Sequence, residues 1–342
     1  MMDPREYVPL YLERVYTDQH PDLNPAAIEL LREQIEQDPN RFAVDEQGRA
    51  LVAYARVHEE LISELDRIAD VPDDEFNRRR EEVFAATRER LADIQKRDEW
   101  CVDARLLLIQ LSDVPLDACL GDILELERLV REHLLLTRPG FNPNAPELWD
   151  GEAFEGDIDF AKMTTCDPEL VGWLHIVEAL SQGCIFTARY RAAATYARLA
   201  MRAPGYPSLA VGTLLLALAR LEDEDSLFEV AQELDGKIDD LPWFLLARTI
   251  LLYKLGQRRS AQRALREFAT RCDGGAFFLL NPTYHDPYLP VRPPARESWD
   301  LSHQAVWEAD GIIADTPGFT SWVESVEGLH GIAEEFARRN GF

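Results

Sequence analysis

Apolar residues between Asp167 and Asp273 return at a fixed interval, and that recurrence constrains the fold more than any other feature of this chain. With Ala192, Leu227 and Ala261 set in register, the offsets are 35 and 34 residues. Four residues later stand Tyr196, Ala231 and Leu265, and seven later stand Leu199, Leu234 and Phe268. Eighteen residues earlier stand Leu174, Leu209 and Trp243. A period of about 34 residues suits a pair of antiparallel helices. A small residue where two helices cross lets them approach closely, and larger residues further on fill the adjoining ridge-and-groove contact. One hairpin has too little apolar surface to stand alone, so neighbours stack into a solenoid. Pro204-Gly205 closes one second helix, and Leu255-Gly256 supplies a short inter-helix turn. The middle copy departs from this, because Glu222–Ser226 replaces the glycine turn and no proline closes it. A bundle with chance spacing is the competing reading, and four columns kept over three copies favour the repeat.

The rest of the chain also reads at helical period. Asn24-Pro25 looks like a cap with proline at the first helical position, followed by Ile28, Leu31 and Ile35 before Asp38-Pro39. Leu51, Tyr54, Val57, Leu61, Leu65 and Ile68 mark a long amphipathic helix from Ala50 to about Val71-Pro72. A charged helix follows over 73–96, then a more apolar pair over 101–111 and 115–136. Prolines and glycines crowd residues 137–167, and no helical period survives there. No strand pattern is compelling, so the class is all-α. The expected organisation is an N-terminal helical region (1–137), an irregular connection (138–166), stacked helix pairs (167–275), and a capping loop with C-terminal helices (276–342).

Charge and cysteine usage exclude several functions. Lys plus Arg number 36 against 62 Asp plus Glu, a formal net charge of −26. A nucleic-acid binder needs a basic surface, and an anionic membrane face would be repelled, so neither is expected as a partner. The first twelve residues carry Asp3, Arg5 and Glu6 without an apolar core, unlike a secretory signal. No apolar run approaches the roughly 20 residues of a membrane span. The five cysteines are widely spaced, without a CxxC pair, and read as buried thiols. A cytoplasmic protein is expected.

Phe186–Pro290 resembles bacterial tetratricopeptide-repeat proteins distantly related to the eukaryotic suppressor of tumorigenicity family. The resemblance is carried by Thr187-Ala188-Arg189-Tyr190-Arg191-Ala192-Ala193, the Ala200–Pro204 close, and Tyr253-Lys254-Leu255-Gly256. It continues through Phe277-Phe278-Leu279-Leu280-Asn281-Pro282 to Tyr288-Leu289-Pro290, with Trp307 and Thr316-Pro317-Gly318-Phe319-Thr320-Ser321-Trp322 as the most family-like piece. About half the chain is covered. The resemblance implies a helical-repeat scaffold and assigns no catalytic residue.

Chemical motifs are few. The seven histidines form neither HExxH nor a pair four apart, and no phosphate loop or nucleophile elbow occurs. His285, beside Asp286, could serve an acid–base or metal site, although an ordinary loop histidine is favoured. Asp157 and Asp159 lack the other ligands of a calcium loop. No cofactor or metal is therefore expected, and no enzymatic activity. What remains is a surface: in such arrays the first helix of each pair lines the concave groove, which makes Ser181, Arg220, Tyr253 and Lys254 candidates for binding a protein or peptide partner. Arg220 and Lys254 would suit a partner's carboxylate, unless they only balance nearby acids such as Glu222. The alternatives are a small-ligand or enzyme site at the His285 loop or the 138–166 connection, and a homodimer joined through the helices of residues 50–96.

Overall fold

The computed structural model describes residues 2–68, 71–138, 140–146, 165–203, 205–208, 210–284 and 297–342. Its described residues form sixteen α-helices and two short 3₁₀ turns, with no strand. Two compact units divide the chain: residues 1–180 with 199–208, and residues 181–198 with 209–342.

Capping residues set the helix starts of the first unit. Helix α1 (Pro4–Gln19) begins where the Asp3 carboxylate accepts from Arg5 N–H at 2.8 Å. Helix α2 (Pro25–Gln37) follows Asn24, whose side chain accepts from Ala27 N–H at 2.9 Å. Helix α3 (Glu46–Arg67) follows Asp45, which accepts from Gly48 N–H at 2.6 Å. Each cap satisfies a backbone donor that has no partner within its helix. Helices α4 (Asp73–Arg97), α5 (Val102–Gln110) and α6 (Leu116–Thr137) complete the series, and each packs on its predecessor from α3 onward. Helix α1 packs on both α2 and α3, with Tyr7, Val8, Tyr11 and Leu12 buried. The sequence reading contained no counterpart to α1.

Helix α7 (Pro168–Phe186) leads into the repeated part of the second unit. Helices α8 (Tyr190–Met201), α9 (Ala210–Leu221), α10 (Glu224–Glu233), α11 (Pro242–Lys254) and α12 (Arg258–Arg271) follow in order. The turns α7–α8, α9–α10 and α11–α12 are three copies of one device. Ala188, Glu222 and Gly256 occupy them at 34-residue steps, with φ of 56°, 60° and 73°. The same closing hydrogen bond recurs in each turn. Arg189 N donates to Cys184 O at 2.7 Å, Asp223 N to Leu218 O at 3.1 Å, and Gln257 N to Leu252 O at 2.9 Å. This is a Schellman closure, which ends a helix through one left-handed residue. The middle turn thus keeps its geometry without glycine, and the first copy does the same with alanine. The three turns, at 184–189, 218–223 and 252–257, all lie within the second unit.

That backbone period corrects the register of the first copy by one residue. Ala193, Leu227 and Ala261 are the equivalent positions, each with no exposed surface, whereas Ala192 is half-buried. Close helix approach is visible at Gly212 of α9, where a Cβ would lie 2.6 Å from the Trp243 ring of α11. Helices α13 (Gly275–Leu280), α14 (Asp300–Ala314), α15 (Phe319–Glu324) and α16 (Leu329–Asn340) end the chain. Phe277 and Phe278 of α13 pack with Phe336 of α16 and with Phe342, and Trp299 lies against Phe278. No described helix is long and apolar enough to cross a membrane. All five cysteines are free thiols, and only Cys119 is partly exposed.

Candidate functional site

Helices α9 and α11 pack on each other in the second unit, and part of the C-terminal region lies against both. Helix α14 packs on both α9 and α11. Near the start of α11, Trp243 Nε1–H donates to Glu308 Oε2 at 2.7 Å. At the end of α9, the Arg220 guanidinium pairs with Asp315, the residue that caps α14. At the end of α11, the Tyr253 hydroxyl donates to Pro317 O at 3.0 Å, and its ring meets Phe319 and Trp322. Glu308 and Pro317 therefore meet opposite ends of α11, so α14 runs in the same sense as that helix. Phe186, at the end of α7, packs on Trp307 with ring centroids 4.8 Å apart.

The four residues singled out from the sequence fall into different environments. Ser181 is fully buried, and its hydroxyl donates to Ala193 O at 3.1 Å. At the 34-residue period its equivalents are Leu215 and Thr249, also without exposed surface, so this column packs helices and lines no open groove. Arg220 is partly exposed and lies over the Tyr190 ring, 5.3 Å from its centroid. The bond to Asp315 raises its pKa further, and its Nε is buried without a hydrogen-bond partner. Tyr253 is buried beneath the 317–322 segment, with the Arg258 guanidinium 3.6 Å from its ring centroid. Lys254 Nζ lies 3.1 Å from Glu222 Oε1, the acid that the sequence offered as its counter-charge. The structure brings Arg220 and Tyr253 to one bound segment and leaves Ser181 out. Trp243 and Glu308 were not anticipated as a pair, since nothing local in either helix announces a contact 65 residues apart.

The first unit holds a separate buried polar network. His175 Nδ1 lies 2.7 Å from Asp103 Oδ1, and the Tyr7 hydroxyl donates to the other carboxylate oxygen. On its far side the His175 ring accepts from Met2 N–H at 2.9 Å through Nε2, which fixes the proton on Nδ1. Both nitrogens are thus engaged, and the ring is buried. Burial pushes the Tyr7, Tyr54 and Tyr206 hydroxyls well above the usual tyrosine range, with Asp103 adding to the shift at Tyr7 and Tyr54 and Glu178 adding to it at Tyr206. Burial likewise raises the Cys101 thiol, so no reactive thiolate is present there. An Asp–His pair can orient a general base, but here its outer nitrogen holds the backbone instead. A second cluster joins His133 Nε2 to Glu169 Oε2 at 3.0 Å and Arg138 to Asp167 at 2.6 Å, with His133 stacked on Trp100.

His285 with Asp286, the pair Asp157 and Asp159, and most of the 138–166 connection lie outside the described residues. Among the described residues, no three His, Cys, Asp or Glu side chains are placed to hold a metal ion. Comparisons with protein-family models, with curated proteins and with solved structures find no match.

Proposed function

We propose that this chain is a non-enzymatic helical-repeat scaffold that binds a protein or peptide segment on the face of α9 and α11. One observation carries the reading: that face already holds a polypeptide, the chain's own α14 and the residues after it, through Trp243, Arg220 and Tyr253. Trp, Tyr and Arg are the residues on which protein interfaces most often depend, because each combines broad apolar contact with directional donors. The finer identification of the pairs as tetratricopeptide units is supported by the 34-residue step of the three turns. Five free cysteines accord with a cytoplasmic location.

Capture from a lysate of the native cell tests the reading, comparing the wild type with a chain carrying Arg220→Glu and Lys254→Glu. A specific partner retained by the wild type and lost by the double variant is the expected result. Equal recovery by both proteins removes this face from the function.

A further inference from the structure

We propose that the face of α9 and α11 selects an amphipathic helix bearing two carboxylates seven residues apart, and that α14 is a resident copy of that ligand. The proposal rests on the scaffold reading and adds the chemistry of the partner. Two donors on the receiving helices define the spacing, the Trp243 indole N–H and the Arg220 guanidinium. They take Glu308 and Asp315, which are two helical turns apart, roughly 10 Å along the axis, and so share one side of α14. The chain carries a net charge of −26, yet at both points it accepts an acid. Local complementarity thus runs against the overall charge, as it does where a surface is built for a particular ligand. Tyr253 then reads the turn after the helix, through its bond to Pro317 O and its contacts with Phe319 and Trp322.

The surface that α14 buries suits exchange. Its covered apolar residues are Ala305, Val306, Ala309 and Ile312, and beside them it buries Ser302, His303, Gln304 and Glu308. Polar groups that lose these partners regain bonds to water, which lowers the cost of separation, while the Trp307–Phe186 ring contact is the main apolar contact that exchange must give up. A partner helix with the same acid spacing would satisfy Trp243 and Arg220 as α14 does. Replacement then needs no new chemistry on the receiving face.

A labelled synthetic peptide of residues 297–324 tests this with the full chain. Its control carries Glu308→Gln and Asp315→Asn within the peptide. The parent peptide is expected to bind a chain bearing Glu308→Gln and Asp315→Asn, whose resident helix has lost both acids, at least tenfold more tightly than the wild type. The control peptide should bind at least tenfold more weakly than the parent, and Arg220→Gln in the chain should shrink that difference to the part owed to Glu308 and Trp243. Equal binding of the two peptides, or no binding of either to any chain, overturns the proposal. The peptide variants keep the test valid even where a chain variant fails to fold. Light scattering of the loosened chain should report a monomer, and a dimer formed by exchange of α14 would replace the partner with a second copy and overturn the assignment. Recovery of a lysate partner that depends on Arg220 but is not competed by the peptide also overturns the helix assignment, while leaving the scaffold reading intact.

Discussion

Helices α11 and α14 touch each other in the second unit and both pack on α9, but they bury different kinds of surface. Helix α11 covers Trp243, Phe244, Leu245, Leu246, Ile250, Leu251, Leu252 and Tyr253, an almost continuous apolar sleeve. Helix α14 covers two alanines, a valine and an isoleucine among serine, histidine, glutamine and glutamate. The first pattern is that of a helix surrounded by neighbours on all sides. The second is closer to a docked segment, whose position is specified by directed bonds more than by buried area. The difference teaches that burial alone does not separate framework from ligand. The chemistry of what is buried does.

The largest effect should come from the framework. Ile250→Ala removes a fully buried side chain and should lower stability by about 2–5 kcal/mol. In denaturant it should destabilise α9, α11 and α12 together. A loss confined to one helix would break the comparison. Trp243→Phe puts a smaller ring in the place of the indole and removes the donor to Glu308, which should cost about 1–3 kcal/mol through the lost bond and the space left behind. Hydrogen exchange should place that loss in α14 while the α11 amides keep their protection.

The turns give a smaller, signed series. Ala188→Gly and Glu222→Gly relieve a left-handed conformation that side chains oppose, and each should raise stability by about 1 kcal/mol. At Glu222 the loss of the exposed pair with Lys254 offsets part of the gain. Gly256→Ala should lower stability by about the same amount. Thermal melts of the three variants check the order, and a stabilising Gly256→Ala would contradict the common turn.

The smallest effect lies in the first unit and serves as a control. Burial lowers the pKa of His58 below its ordinary 6.5, against the opposing pull of Asp3 and Asp103. The unfolded chain therefore binds this proton more readily, and stability from His58 is present above 6.5 and lost as pH falls through the folded-state value. His58→Gln should flatten the stability profile in that acid window without altering exchange in α14. Denaturant titrations at several pH values measure it, and an unchanged slope would assign the pH dependence elsewhere.

Much of this architecture was legible where a residue acts on its own backbone. Asn24-Pro25 and Asp38-Pro39 bound α2 because capping and proline sterics are local. The repeat was legible in its columns, but the first register slipped by one because Ala192, Ala193 and Ala194 look alike until burial distinguishes them. Helix α1 escaped because its buried face combines two tyrosines with Val8 and Leu12 around an internal Pro9, a weak periodic signal. Ser181 was misplaced for a different reason: at the 34-residue step it shares the buried column of Leu215 and Thr249, not the column of Arg220 and Lys254. The occupant of the α9–α11 face was not legible, since Glu308 and Asp315 acquire meaning only beside residues far away in the chain.

Native-state hydrogen exchange on the full chain, resolved by helix, tests the central claim most directly. The account predicts that α14 amides exchange through an opening that leaves α9 and α11 protected, and that the added 297–324 peptide accelerates this opening in proportion to its occupancy. Exchange of α14 only together with α11, at the free energy of global unfolding and indifferent to the peptide, would contradict it and make α14 a fixed part of the core.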